Sequence, residues 1–122
     1  MDLETAVDGL NDAKLKLRSK EGILSGPFMS EQMDRVAQYA NAIEDHLADY
    51  EHDYEISEAR AFRDQSLQGK SVSAAEKAAK YELAEMRGQI KKLSRLAASA
   101  WRLVGVKQSR FNHLEKEARG QV

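Results

Sequence analysis

The sequence contains no cysteine and a single proline among its 122 residues. The absence of cysteine excludes disulfides, thiolate zinc sites, iron–sulfur clusters and cysteine nucleophiles. No apolar run approaches the roughly 18 residues that a transmembrane helix requires. Asp2 and Glu4 precede any basic residue, and no apolar stretch follows them, so a secretory signal is not expected. These absences favour a cytoplasmic protein that does not associate with membranes.

Residues with high helix propensity dominate what remains, whereas β-branched residues and glycine are few. Hydrophobic residues make up 42% of the chain and charged residues 32%, a balance typical of a folded protein rather than a disordered one. The composition therefore predicts a single all-α domain over residues 1–122.

Apolar spacing and turn residues divide this domain into three predicted helices, at about 2–20, 30–67 and 73–119. The Gly22–Pro27 segment separates the first two, with Ser30 as the expected N-cap of the second. A capping box at Ser73–Glu76 begins the third. Both long helices carry apolar residues at alternating spacings of three and four, which is typical of a coiled-coil seam. Its principal predicted members are Ile43, Leu47, Ile90, Leu93, Val104, Phe111 and Leu114.

Two long helices joined by a short turn predict an elongated antiparallel hairpin. Because a hairpin of this length leaves one side of each seam exposed, we expect oligomerisation with further copies of the chain to complete the core. The short N-terminal helix covers only part of that surface.

The net charge of −1 conceals opposite charges on the two long helices. Residues 30–67 carry ten acidic and three basic side chains, whereas 73–119 carry eleven basic and five acidic ones. Residues 44–58 contain seven acids and no Lys or Arg, and residues 87–110 contain seven bases and no acid. Folding about residue 70 places Glu44–Asp53 opposite Arg87–Arg95, so complementary charges could fix the pairing of the helices.

Three bases of the third predicted helix lack acidic partners in this hairpin and lie among aromatic residues. They are Arg102, Lys107 and Arg110. Basic side chains neutralise phosphates and aromatic faces stack on bases, so this pattern favours single-stranded nucleic acid binding. A purely structural role for the same residues remains open, with Trp101 beside the seam and the bases in solvent. The candidate nucleic-acid-binding residues are Arg95, Trp101, Arg102, Lys107 and Arg110.

Enzymatic and metal-binding hypotheses find weaker support in the sequence. His46, Asp49 and Asp53 have metal-ligand spacing on one helix face, but the opposing segment is rich in Lys and Arg. Glu55-x-x-Glu58 and Glu82-x-x-Glu85 resemble the Mg²⁺-binding motifs of all-α nucleoside triphosphate pyrophosphatases, although that family has Asp at the position of Glu85. We therefore expect no catalytic residues, no metal and no cofactor, and keep the pyrophosphatase as a third hypothesis.

The layout Tyr54–Ala61, Gly69-Lys70-Ser71, Ala75–Lys80 and Lys107–Phe111 resembles the phage recombination mediator family. Proteins of that family help to load a recombinase onto single-stranded DNA. The resemblance implies a ring-like homo-oligomer with basic DNA-binding surfaces, present in the host cell cytoplasm.

The favoured prediction is thus a non-enzymatic phage accessory protein that binds single-stranded nucleic acid and a recombinase or replication protein. The alternative is a phage protein-interaction module that inhibits a host defence protein, with its acidic helix acting as a nucleic-acid mimic. Salt-dependent binding of single-stranded DNA would distinguish the two.

Overall fold

A computed structural model of the chain describes residues 1–19 and 26–120. In these ranges the backbone forms no strand and four α-helices, which confirms the all-α prediction. No helix of the described ranges is long and apolar enough to cross a membrane. The chain divides into a first unit, Met1–Glu44 with Arg95–Val122, and a second unit, Asp45–Ser94. The helices are α1 (Leu3–Arg18), α2 (Gly26–Leu67), α3 (Val72–Glu82) and α4 (Ala84–Ala118).

Helix α2 begins at Gly26, four residues before the predicted N-cap Ser30. Pro27 is compatible with this start because the first turn of a helix needs no backbone N–H partner there. Ser30 consequently lies inside the helix instead of capping it. Most of the predicted break, residues 22–25, lies outside the described residues.

Ser71 caps helix α3, two residues before the predicted capping residue Ser73. Its hydroxyl accepts a hydrogen bond from the Ala74 N–H at 3.2 Å. The single helix predicted for 73–119 is interrupted at Leu83, whose backbone has φ −101° and ψ 13°. Its N–H still donates to the Ala79 carbonyl at 3.2 Å, so the interruption is confined to about one residue.

The first unit contains the larger hydrophobic core. Its buried side chains recur every three or four residues, which places them on one face of each helix. Three helices contribute them, so α1 is an integral part of this unit. The buried core residues are Ala6, Leu10, Ala13 and Leu17 of α1, Met29, Met33, Val36, Ala40 and Ile43 of α2, and Ala97 and Ala100 of α4.

Polar contacts of Arg35 join α1 to α2. Its guanidinium donates to Asp12 of α1 at 3.1 Å and to the buried Gln32 at 2.7 Å. Hydrogen bonds from Lys16 and Arg35 hold the pKa of Asp12 below its usual range. The Arg35 guanidinium also lies 5.7 Å from the centre of the Tyr39 ring, within cation–π range. These contacts fix α1 alongside the first half of α2.

Gly9 permits the close approach of α1 to the Tyr39 ring, since a Cβ built there would lie within 3.0 Å of three ring atoms. Ala at position 9 would gain about 1 kcal/mol of helix propensity, but we expect overpacking of about 1–3 kcal/mol to outweigh it. Gly9→Ala should therefore lower the midpoint of urea unfolding. In a Tyr39→Ala background the same change should become stabilising. A stabilising Gly9→Ala in the wild-type background would contradict this packing.

The second unit packs α2 against α3 and the start of α4. Tyr54 of α2 lies beside Arg87 of α4, and Phe62 of α2 borders one cavity with Ala79 of α3. Because the later residue of α2 lies beside the earlier residue of the returning chain, α2 runs antiparallel to that chain. Burial raises the pKa of Tyr54, the hydrogen bond with Glu58 raises it further, and Arg87 opposes the shift. The chain thus folds back on itself within this unit.

The predicted seam residues differ in burial. Ile43, in the first unit, is fully buried and Val104 is half-buried. Leu47, Ile90 and Leu93, in the second unit, are all half-buried. The described buried hydrophobic residues of that unit are alanines, at positions 61, 75 and 79. The side chains of Phe111 and Leu114 lie outside the described part of the chain.

Within the second unit, the predicted ion pairing between the long helices concerns the acids of residues 45–53 and the bases Arg87, Lys91 and Lys92. No ion pair within 4.0 Å joins an acid of residues 45–53 to Arg87, Lys91 or Lys92. The acidic side chains of this stretch and both lysines are exposed. In this unit, therefore, charge complementarity between the helices does not take the form of direct ion pairs.

Candidate nucleic-acid interface

Helix α1 lies alongside the predicted binding residues of α4. The Lys14 ammonium donates to the Ser99 hydroxyl at 3.4 Å, in a partly buried contact. Burial lowers the pKa of Lys14. The positive charge of Arg18, one turn further along α1, also lowers this pKa. Two cations of α1 therefore stand at the α4 surface that begins at Arg95.

The three predicted arginines share the side of α4 that faces Lys14. At 100° per residue, Arg95, Arg102 and Arg110 lie within about 60° of Ser99 around the helix axis. All three are exposed. Residues 86–114 contain no Asp or Glu, so no acid of this stretch interrupts the row. We call the combined surface the basic strip; it consists of Lys14, Arg18, Arg95, Arg102, Lys107 and Arg110.

Lys107 forms the inner edge of the basic strip. It is only 8% exposed, although the apolar spacing alone predicts an aliphatic residue at this seam position. Burial lowers the pKa of Lys107, and the neighbouring Arg110 and Arg18 lower it further. Positive charges of α1 and α4 therefore converge at this position.

Trp101 lies away from the basic strip. Its indole N–H donates to the Glu44 carboxylate on α2, and the residue is 36% exposed. Nine residues separate it from Arg110, a rotation of about 180° around the helix. The structure therefore does not bring Trp101 together with the bases that it accompanies in the sequence. Instead, Trp101 connects α4 to α2.

Exposed aliphatic side chains, rather than the predicted aromatic one, lie beside these bases. Val106 lies between Arg102 and Arg110 on the same side of α4 and is 65% exposed. Leu15 lies three residues before Arg18, on the same side of α1, and is 71% exposed. The basic strip is thus a cationic surface with apolar side chains at its border.

The contribution of α1 is absent from the sequence prediction. Lys14 and Arg18 are spaced i, i+4 and flank the buried Leu17, so they had to lie at the border of the α1 core face. That spacing was available in the sequence. The spacing does not show which helix α1 packs against. The contact between Lys14 and Ser99 joins residues 85 positions apart, so local sequence patterns do not predict it.

The acidic motifs occupy a separate place in the second unit. Glu55 and Glu58 line a surface cavity of about 470 Å³ together with Glu76 and Lys80. Glu82 and Glu85, the other half of the pyrophosphatase-like pattern, are not among the residues that line it. In the described ranges, no group of three or more His, Asp or Glu side chains is arranged to hold a metal ion.

Comparison with known proteins gives no assignment. No family model, no curated protein and no solved structure matches the chain. The basic strip is therefore the feature of the molecule from which a function can be inferred.

Proposed function

We propose that this chain is a non-enzymatic accessory protein that binds single-stranded nucleic acid along the basic strip. Such a protein would act in the cytoplasm with a recombinase or replication protein, as in the phage recombination mediator family that the sequence resembles. The observation that carries the proposal is the convergence of six cations from α1 and α4 on an acid-free stretch of α4. Neutralisation of phosphates with release of counterions would supply most of the affinity.

The apolar border of the basic strip favours binding of single-stranded over double-stranded nucleic acid. Unpaired bases expose apolar faces, whereas bases in a duplex are stacked and paired. Leu15 and Val106 offer exposed aliphatic contacts beside the cations. A flexible single strand can place its phosphates on the arginines and its bases against these side chains.

Binding of a labelled oligothymidylate, followed by fluorescence anisotropy, tests the proposal. If all six cations contact phosphates, log K should fall with log salt with a slope of about −4, at about −0.7 per contact. Measurements between about 50 and 200 mM salt cover the useful range. An unlabelled duplex of the same length should compete less well than the single strand. Absence of binding at low salt would reject the proposed function.

We also propose that the second unit is a coiled-coil-like hairpin completed by self-association. Its fully buried apolar side chains are alanines, while larger seam residues such as Leu47, Ile90 and Leu93 remain half-buried. Tyr50 and Ile56 of the same unit are exposed, at 37% and 39%. A second copy that covered these side chains would remove apolar area from water, at about 25 cal/mol per Å².

A second candidate function is protein binding through the acidic stretch, residues 44–58. Its specific support is that the carboxylates of residues 45–53 are not ion-paired with Arg87, Lys91 or Lys92. Exposed Tyr50 and Ile56 lie among them. The expected partner is a host protein with a basic nucleic-acid-binding site. The acidic surface would mimic DNA at that site. The wild-type anisotropy experiment separates this candidate from the first.

A further inference from the structure

The second unit carries a row of acids on the exposed side of α2. Asp45, Asp49 and Asp53 are spaced by four residues, so they lie within about 80° around the helix and span about 12 Å along it. All three are exposed. In the described ranges, none of them takes part in an ion pair within 4.0 Å. We call these three residues the acidic row.

The arginines of α4 in the basic strip have a matching spacing. Along the helix, about 10.5 Å separates Arg95 from Arg102 and about 12 Å separates Arg102 from Arg110. They are exposed, and among the described residues no ion pair within 4.0 Å involves them. One guanidinium donates two parallel hydrogen bonds to one carboxylate. A helix with carboxylates about 12 Å apart can therefore engage two of these arginines at once.

We propose that the acidic row of one copy docks on the basic strip of a second copy, and that this contact competes with single-stranded nucleic acid for the same arginines. The inference rests on the proposed function, because it assigns a competitor to the proposed binding surface. The carboxylates of the acidic row take the place of phosphates. Because the contact joins different surfaces of the two copies, it is head-to-tail and can continue from copy to copy.

Apolar side chains extend the match beyond charge. Ile56 lies between Asp45 and Asp49 in angle around α2, and it is 39% exposed. Val106 lies on the side of α4 that carries the arginines and is 65% exposed. Both competitors for the basic strip thus offer apolar groups beside their anions, the nucleic acid through its bases and the second copy through Ile56.

Exposed ion pairs make this contact weak and sensitive to salt, because each contributes little and is screened by ions. We therefore expect association at about 100 µM protein and about 50 mM salt. It should be lost at about 1 M salt, where the Debye length is about 3 Å. Association through the apolar seam is not screened in this way. The salt-dependent part of the mass in light scattering consequently measures the charged contact.

Charge reversal on each surface tests the contact. The arginine-reversed variant combines Arg95→Glu, Arg102→Glu and Arg110→Glu. The aspartate-reversed variant combines Asp45→Lys, Asp49→Lys and Asp53→Lys. Each variant alone brings like charges together, so its salt-dependent association should weaken about 10-fold or more. An equal mixture of the two should restore association, because each variant then meets a surface of opposite charge on the other.

A control variant changes the net charge by the same amount as the aspartate-reversed variant. It replaces exposed acids of the second unit outside the acidic row, and combines Asp64→Lys, Glu82→Lys and Glu85→Lys. It should keep the association of the wild type at low salt. Recovery of mass in the mixture of the two reversed variants shows that both are folded.

A short oligothymidylate tests the competition. Arg95 and Arg110 lie about 22.5 Å apart along α4, which corresponds to about seven nucleotides at 3.4 Å per stacked nucleotide. An excess of such an oligomer should lower the low-salt mass of the wild type to the value at high salt, apart from the mass of the bound strand. If the strand binds but the low-salt mass of the protein assembly persists, the competition is wrong.

The outcomes separate this contact from the proposed function. A wild-type mass that does not change with salt overturns the contact between copies, while binding of nucleic acid by the basic strip stands. A mixture no larger than either reversed variant overturns it as well. If the two variants associate only when mixed but the wild type binds no oligothymidylate, the proposed function and the competition fail, whereas the contact between copies stands.

Discussion

Reversal of the three exposed arginines, Arg95→Glu, Arg102→Glu and Arg110→Glu, is expected to abolish binding of single-stranded nucleic acid. Each change removes a phosphate contact and places a carboxylate where a phosphate would lie. Loss of three contacts alone should reduce the salt slope by about 2. The added repulsion should bring the affinity at low salt below the detection limit of anisotropy. Because all three side chains are exposed, far-UV circular dichroism should remain unchanged.

A matched control exists in the second unit. Lys77, Lys91 and Lys92 are exposed, and their reversal to Glu changes the net charge of the chain by the same amount. This control should retain most of the wild-type affinity and a salt slope near that of the wild type. If both triple variants lost binding equally, net charge rather than the basic strip would govern the interaction. Undiminished binding by the arginine variant would place the ligand elsewhere.

Helix content could be predicted well from the sequence, because it follows from local properties. Alanine-rich amphipathic spacing fixes the helices, and the Gly69 turn has the positive φ of 84° that glycine permits. Helix ends were less predictable. Both Ser30 and Ser73 have the residue type of an N-cap, but the backbone continues through them, since Pro27 and Ser71 allow an earlier start.

The candidate site could be predicted only in part, because its geometry is tertiary. The acid-free row of bases on α4 is visible in the sequence, and three of its arginines do share one side of the helix. Trp101 is separated from them because neighbours along a helix point in different directions. Folding about residue 70 placed Glu44 opposite residue 96, whereas its carboxylate bonds to Trp101. A long side chain that leans toward the helix N-terminus accounts for much of that difference.

Replacement of Ile90 and Leu93 by Asp is expected to disrupt both the assembly and the fold of the second unit. These side chains are half-buried on the apolar face of α4, in a unit whose fully buried hydrophobic residues are alanines. Two carboxylates in that face would each lose hydration on association, at a cost of several kcal/mol. Typical domain stabilities are only about 5–15 kcal/mol. Light scattering should therefore show monomers, and thermal unfolding should shift to much lower temperature or lose cooperativity.

Lys91→Asp with Lys92→Asp is the control for this experiment, because it introduces the same side chain at two adjacent, exposed positions of the same helix. It alters net charge more than the seam variant does, so a charge effect would appear in the control first. We expect the control to keep the wild-type mass and melting temperature. A monomeric wild type at micromolar concentration, or a seam variant with wild-type mass, would contradict self-association through this face.

If the wild type is an oligomer, each basic strip is repeated in the assembly. Dissociation by the seam variant should then also weaken binding to long oligonucleotides more than to short ones, because avidity requires several strips on one strand.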